Sequence, residues 1–154
     1  MRYESNTSYF FNVSGGTIVT ENIVIDGNSP YVPRSKTSGA IFSVSKGGSI
    51  TTKSGTVVQH VRSSTHSVIY LSSTAGATAT ATIEDLTVTG LDTYSTSNTA
   101  YSGASIFYVT GAGQCTLTVN GGTFTDNEAR LLYLIGAGAH QVNINDCTFS
   151  NNHL

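Results

Sequence analysis

The sequence predicts an all-β chain, a right-handed parallel β-helix (solenoid) of about five coils, and three observations carry that expectation. Of 154 residues only 10% are charged and none is Trp, whereas Ser and Thr together number 43. Thr, Tyr, Val and Ile favour pleated backbone, and Gly, Ser and Asn supply turns, so the mixture speaks for strands over helices. TLTVNGGTFTDN at 116–127 and QVNINDCTFSNN at 141–152 repeat one pattern, with Thr, Phe and Asn in the same places. A second apolar stretch recurs upstream, its first residues Phe10, Ile41, Val68, Ile106 and Leu132 lying 31, 27, 38 and 26 residues apart.

Each copy contains the same elements in order. The first strand reads FFNV, IFSV, VIYL, IFYV and LYLI, and a glycine turn follows it (SGG, SKGG, STAG, TGAG, GAG). Residues of a strand point alternately to its two faces, so the inward pairs are expected to be Phe11 and Val13, Phe42 and Val44, Ile69 and Leu71, Phe107 and Val109, Tyr133 and Ile135. The second strand offers Ile50, Leu117 with Val119, and Val142 with Ile144 to the same interior. A tight corner is expected at Gly121 and Gly122, or Asp146 and Cys147. Aligning ITTKSGTVVQH, ATIEDLTVTGL, LTVNGGTFTDN and VNINDCTFSNN gives a third strand with Thr56, Thr87, Thr123 and Thr148 in an outward column, and Val24, Val57, Val88, Phe124 and Phe149 inward. Asn127 and Asn152 close two copies, where Asn adopts left-handed angles and bonds to its counterpart in the next copy. The coils span approximately 8–28, 40–60, 67–91, 104–127 and 131–152 of a single domain, 1–154. No copy buries a face alone, so stacking is required.

Charge narrows the function classes. Seven basic residues are scattered through a chain of net charge −2, which excludes a nucleic-acid backbone or an anionic membrane as partner. No stretch is long and apolar enough for membrane insertion. The start, MRYESNTSYFFNV, lacks the basic-then-apolar order of a secretory signal, so the chain is expected to be intracellular or a piece of a longer one.

FTDN at 124–127 and FSNN at 149–152 match the FxxN repeat, and SGAI at 38–41 a relaxed GGA-[ILV] repeat, so the chain resembles the polymorphic outer-membrane (Pmp-like) surface proteins. Only two clean FxxN copies occur, with TVTGL and TVVQH elsewhere. The resemblance implies a right-handed parallel β-helix, a cell-surface or extracellular location, and an adhesin or passenger stalk without catalysis. More broadly the chain is similar to pectin-lyase-like β-helices, a class that includes polysaccharide-degrading enzymes.

Two longer loops, 28–39 and 91–103, carry candidate partner-binding residues: Tyr31, Arg34 and Lys36 on one, Tyr94 and Tyr101 on the other. Tyr70 and Tyr108 join them on the outer side of the first strand, beside an apolar row of Phe10, Ile41, Val68, Ile106, Leu132 and Leu134 that is expected to meet a protein or glycan partner or another copy of the chain. An enzyme would draw on Glu84, Asp85, Asp126 and Asp146, of which Asp85 and Asp146 share a column, while Lys53 shares one with Glu84. Among His60, His66, His140 and His153, only His60 and His66 flank one loop, and no ligand-spaced set suggests a metal or cofactor. Cys115 and Cys147 fall in different columns and are expected as buried free thiols. The third-strand row of Thr56, Thr87 with Thr89, Thr123 with Thr125, and Thr148 with Ser150 is a structural ladder, or in the alternative an ice-binding face. Asn6 and Asn12 begin glycosylation sequons. Terminal strands without caps raise one more alternative, a filament subunit that stacks end to end.

Overall fold

The structure is a computed structural model that describes residues 9–27, 40–63, 68–93 and 105–153. Its strands are β1 (Tyr9–Ser14), β2 (Thr17–Thr20), β3 (Val24–Asp26), β4 (Ala40–Ser45), β5 (Ser49–Thr52), β6 (Val57–Gln59), β7 (Arg62–Ser63) and β8 (Ile69–Ser73). They continue with β9 (Thr78–Ile83), β10 (Thr87–Thr89), β11 (Asp92–Thr93), β12 (Ser105–Gly111), β13 (Gln114–Thr125), β14 (Arg130–Leu134) and β15 (Gln141–Ser150). No helix occurs among the described residues.

The all-β class stands, but the five-coil right-handed parallel β-helix is corrected. The strands form two principal parallel sheets and a small pair. One sheet has five strands, β1-β4-β8-β12-β14, and the other eight, β2-β5-β9-β13-β10-β6-β3 with β15 also on β13. The second is a curled half-barrel, and β7 pairs β11 apart from both. The second and third strands expected of a solenoid stay separate in the first three copies (β2 and β3, β5 and β6, β9 and β10) but are joined in the last two, where β13 and β15 run unbroken through the expected corner. Pairing continues across it, from Asn120↔Asn145 to Gly122↔Cys147. Gly121 and Gly122, at φ 129° and 147°, bend the strand there, and a Cβ on Gly122 would sit 2.8 Å from the Leu86 carbonyl oxygen.

The interior lies between the sheets. From the five-stranded sheet come the columns Phe11, Phe42, Ile69, Phe107, Leu132 and Val13, Val44, Leu71, Val109, Leu134. The curled sheet answers with Ile18, Ile50, Ala81, Leu117, Val142 and with Ile25, Val58, Val88, Phe124, Phe149. Phe42, Phe107 and Phe124 are fully buried, each contributing about 1.5–3 kcal/mol by removal from water. Phe107 meets Phe124 edge-on at 5.8 Å across the sheets, and Phe124 stacks on Phe149 at 5.2 Å. Ile50, Leu117 and Val119 are buried as expected, and Val142 and Ile144 pack partly buried against the core.

Register accounts for three further corrections. Thr52 pairs Ile83 and Val57 pairs Thr87, which leaves residues 53–56 opposite 84–86 and so one extra residue at this corner. Beyond it the strand is shifted by one, and a one-residue shift exchanges the two faces. Val58 is therefore inward at 1% exposure in place of Val57, and Ile25 in place of Val24, which is 63% exposed. In the last repeat Leu132 and Leu134 occupy the inward columns and Tyr133 pairs Tyr108, so Tyr133 and Ile135 are not the inward pair. Ile41, Val68 and Ile106, expected in an outer apolar row, are buried members of the core cluster. A parallel strand covered on both sides reads as a continuous apolar run, which alternation alone cannot sort into faces.

Candidate functional site

With that row buried, tyrosines dominate the outer side of the five-stranded sheet. Tyr70, Tyr108 and Tyr133 are paired across neighbouring strands β8, β12 and β14. Their ring centroids lie 5.2 Å apart for Tyr70 and Tyr108, and 5.0 Å for Tyr108 and Tyr133. Tyr9 extends the row, stacking on Tyr70 at 6.2 Å and 22°, and the Arg130 guanidinium lies 5.4 Å from the Tyr133 ring centre. A parallel ladder sets this spacing, since strands about 4.8 Å apart hold in-register rings side by side. Burial raises the Tyr108 phenol above its ordinary value, and the neighbouring Tyr133 and Tyr70 add to the shift.

Sequence reading found Tyr70 and Tyr108 but missed Tyr9 and Tyr133. Tyr133 falls inside when LYLI is aligned with the start of the other copies; the signal that finds it is RLLY, in which the repeat starts one residue earlier. Tyr31, Arg34, Lys36, Tyr94 and Tyr101 lie outside the described residues, as do His66 and Asn6. Asn12 is exposed on β1.

Hydroxyl groups line the curled sheet in two places. On the third strands Thr87, Thr123 and Thr148 are in register, with Thr89, Thr125 and Ser150 beside them. Thr56 does not belong to that column: it is buried, and its hydroxyl donates to Thr20 Oγ1 at 3.2 Å. On the second strands the outward columns are Thr17, Ser49, Thr80, Thr116, Gln141 and Val19, Thr51, Thr82, Thr118, Asn143. Sequence reading passed over this second set, although TAT in TATATI and TLT in QCTLTVN announce it.

Asn127 and Asn152 are linked. The Asn127 side chain donates to Val88 O at 3.0 Å and to Asn152 Oδ1 at 3.0 Å, and accepts from Leu91 N–H at 3.0 Å. Left-handed backbone belongs to the residues just before, Asp126 at φ 56° and Asn151 at φ 51°. The left-handed angles expected at Asn127 and Asn152 thus fall one residue earlier, while the hydrogen bonds between the two asparagines are present.

The acidic residues remain apart. The pairing of Ile83 with Val119 and of Val119 with Ile144 sets Asp85 and Asp146 on either side of Gly121, two strand spacings or roughly 10 Å. Lys53 and Glu84 follow the paired Thr52 and Ile83 on adjacent strands. One pairing was not foreseen: His60 Nδ1 lies 3.3 Å from Asp26 Oδ1, while Gln59 Nε2 donates to Asp26 Oδ2 at 2.7 Å. Among the described residues no group of three or more His, Cys, Asp or Glu side chains could hold a metal ion. His140 covers the Gly136–Gly138 turn with both ring nitrogens buried and without a hydrogen-bond partner, and His153 is exposed. Both cysteines are free thiols; Cys115 is buried, whereas Cys147 is only partly so.

No protein-family model, no curated protein and no solved structure matches this chain. Function therefore has to be argued from these surfaces alone.

Proposed function

We propose that the chain is a non-enzymatic binding module of a surface or extracellular protein, and that a glycan lies along the column Tyr70, Tyr108 and Tyr133, with Tyr9 stacked on Tyr70 at its end. The observation that carries this reading is the ring spacing of 5.0–6.2 Å over four tyrosines. A tyrosine ring is apolar with a hydroxyl at its tip, a pairing suited to a sugar whose carbon–hydrogen face packs on the rings while its hydroxyls bond at the edge. Arg130 at the end of the row adds a fixed donor fork. The FxxN resemblance points to the same adhesive role.

A non-catalytic role is supported by the acids. Asp85 and Asp146 stand about 10 Å apart by strand spacing, at or beyond the widest separation of paired carboxylates across one glycosidic bond. Calorimetric titration with a panel of soluble neutral and acidic polysaccharides tests the proposal, comparing the unaltered chain with Tyr70→Ala and Tyr108→Ala. Binding that weakens by roughly tenfold or more in either variant, about 1.4 kcal/mol, is the expected result. Binding to no polysaccharide, or binding indifferent to both substitutions, rejects it; capture of a protein partner through the same tyrosines would replace the glycan.

A further inference from the structure

The curled sheet carries a second surface whose chemistry differs from that of the tyrosine column. On its second strands the side chains Ser49, Thr80 and Thr116 form one outward column and Thr51, Thr82 and Thr118 the next, with Thr17 extending the first. Each strand thus presents a hydroxyl, skips one buried residue (Ile50, Ala81 or Leu117), and presents another. Parallel pairing holds the rows about 4.8 Å apart, and alternate residues along a strand stand about 6.6 Å apart, so the hydroxyls occupy a two-dimensional grid.

Three features set this grid apart from an ordinary threonine ladder. Neither column contains a charged residue from end to end, the outer positions being Val19, Gln141 and Asn143. Thr17 Oγ1 and Ser49 Oγ are 2.8 Å apart, and Thr51, Thr80, Thr82, Thr116 and Thr118 are all partly exposed on the same face. The neighbouring third-strand row has no such continuity, because its columns pass through Val24 and Val57 and through Asp26 and Gln59.

We propose that this grid is a site for ordered water, and that its ligand is the surface of ice. Its two repeats are close to the oxygen spacings on the prism faces of hexagonal ice. A rigid sheet fixes hydroxyls where lattice waters would bond, so little ordering remains to oppose adsorption. Threonine serves better than serine because its methyl group is held against the ice surface while its hydroxyl anchors. The two columns are themselves uncharged, and on one side the same face continues into Lys53 and Glu84, two residues beyond Thr51 and Thr82, whose own hydration shells bound the area open to ice. The proposal concerns a different sheet from the glycan reading, and either can fail without the other.

Slow freezing of a dilute solution, followed by measurement of the protein in the ice and in the remaining liquid, tests the unaltered chain directly; microscopy of single ice crystals gives the freezing hysteresis. Partition into ice, with hysteresis that rises with concentration, is expected. Thr82→Tyr and Thr116→Tyr should abolish both while circular dichroism and the melting temperature stay unchanged, and Tyr108→Ala should leave both intact. Exclusion of the unaltered chain from ice, a measurement that needs no variant to fold, overturns the proposal. So does ice activity that survives in folded Thr82→Tyr and Thr116→Tyr. Binding to microcrystalline cellulose without ice activity would assign the grid to a crystalline polysaccharide instead.

Discussion

Asn152 Oδ1 accepts two hydrogen bonds from Asn127, one from its backbone N–H at 3.1 Å and one from its side-chain amide at 3.0 Å. Asn127 is fully buried and bonds in turn to the backbone of the preceding repeat, through Val88 O and Leu91 N–H. Three repeats are thereby tied at one corner, where Leu91 and Val61 fill the equivalent places in the earlier copies. Asn127→Ala should destabilise the fold by about 2–4 kcal/mol, since two backbone groups lose their partners in a buried setting. Asn152→Ala should cost less, its residue being exposed. Urea unfolding of both variants decides this; equal small shifts would show that the corner is held by packing alone.

The shifted register makes Thr56 and Thr87 unlike despite their alignment in the sequence. Thr56 is 1% exposed and bonded to Thr20, whereas Thr87 faces outward beside Val57 and Thr123. Thr56→Leu is expected to cost about 1–3 kcal/mol by overpacking, and Thr87→Leu to stay within about 0.5 kcal/mol. The reverse order of melting temperatures would restore the register inferred from sequence.

Phe124 touches Phe107 on one side and Phe149 on the other. Its truncation to Ala opens a cavity in the layer that joins the two sheets, at a cost of about 3–5 kcal/mol. Phe149 is 45% exposed, so Phe149→Ala should cost clearly less. Paired denaturation curves measure the difference.

Tyr108 should couple stability to alkaline pH. Burial, with Tyr133 and Tyr70 beside it, raises its phenol above 10.0. Below the ordinary tyrosine range both folded and unfolded chains hold the proton and stability is complete. As pH rises past 10.0 the unfolded chain loses its proton first, and stability falls until the folded phenol ionises as well. Ultraviolet titration of the tyrosinate band should show one late component that disappears in Tyr108→Phe, together with a shallower decline of melting temperature above pH 10.

The two thiols should differ in reactivity. Burial raises both, Cys115 and Cys147, above the ordinary value, and the Asp146 carboxylate raises Cys147 further. Cys115 is fully enclosed, so iodoacetamide should label Cys147 first and reach Cys115 at the rate of unfolding. Mass spectrometry of the labelled chain over time would refute this by finding Cys115 modified early.

Much of the fold was legible because alternation and repetition are local. The second strand of the last copies, Leu117 with Val119 and Val142 with Ile144, was placed inward from its spacing alone. The first strand was harder: IF, VIY and IFY are apolar on both faces, and nothing in them distinguishes a side chain buried on the outer side, such as Val68 or Ile106, from one on display. The candidate site suffered most from register. A single extra residue before Val57, and a one-residue difference before Leu132, each reversed which side chains face outward, taking Thr56 out of its ladder and bringing Tyr133 into the tyrosine column.

The sequence by itself determined the all-β class, the parallel stacking of like on like, and the linked asparagines, because each follows from residue type and short-range periodicity. Only the tertiary structure decided how many sheets those strands make, and which alternate face of each strand meets solvent. Sheet count depended on whether the corner at Gly121 and Gly122 breaks the ladder or bends it. Facing depended on pairing between strands roughly thirty residues apart in the chain, where one inserted residue is invisible to a local pattern yet turns every following side chain over.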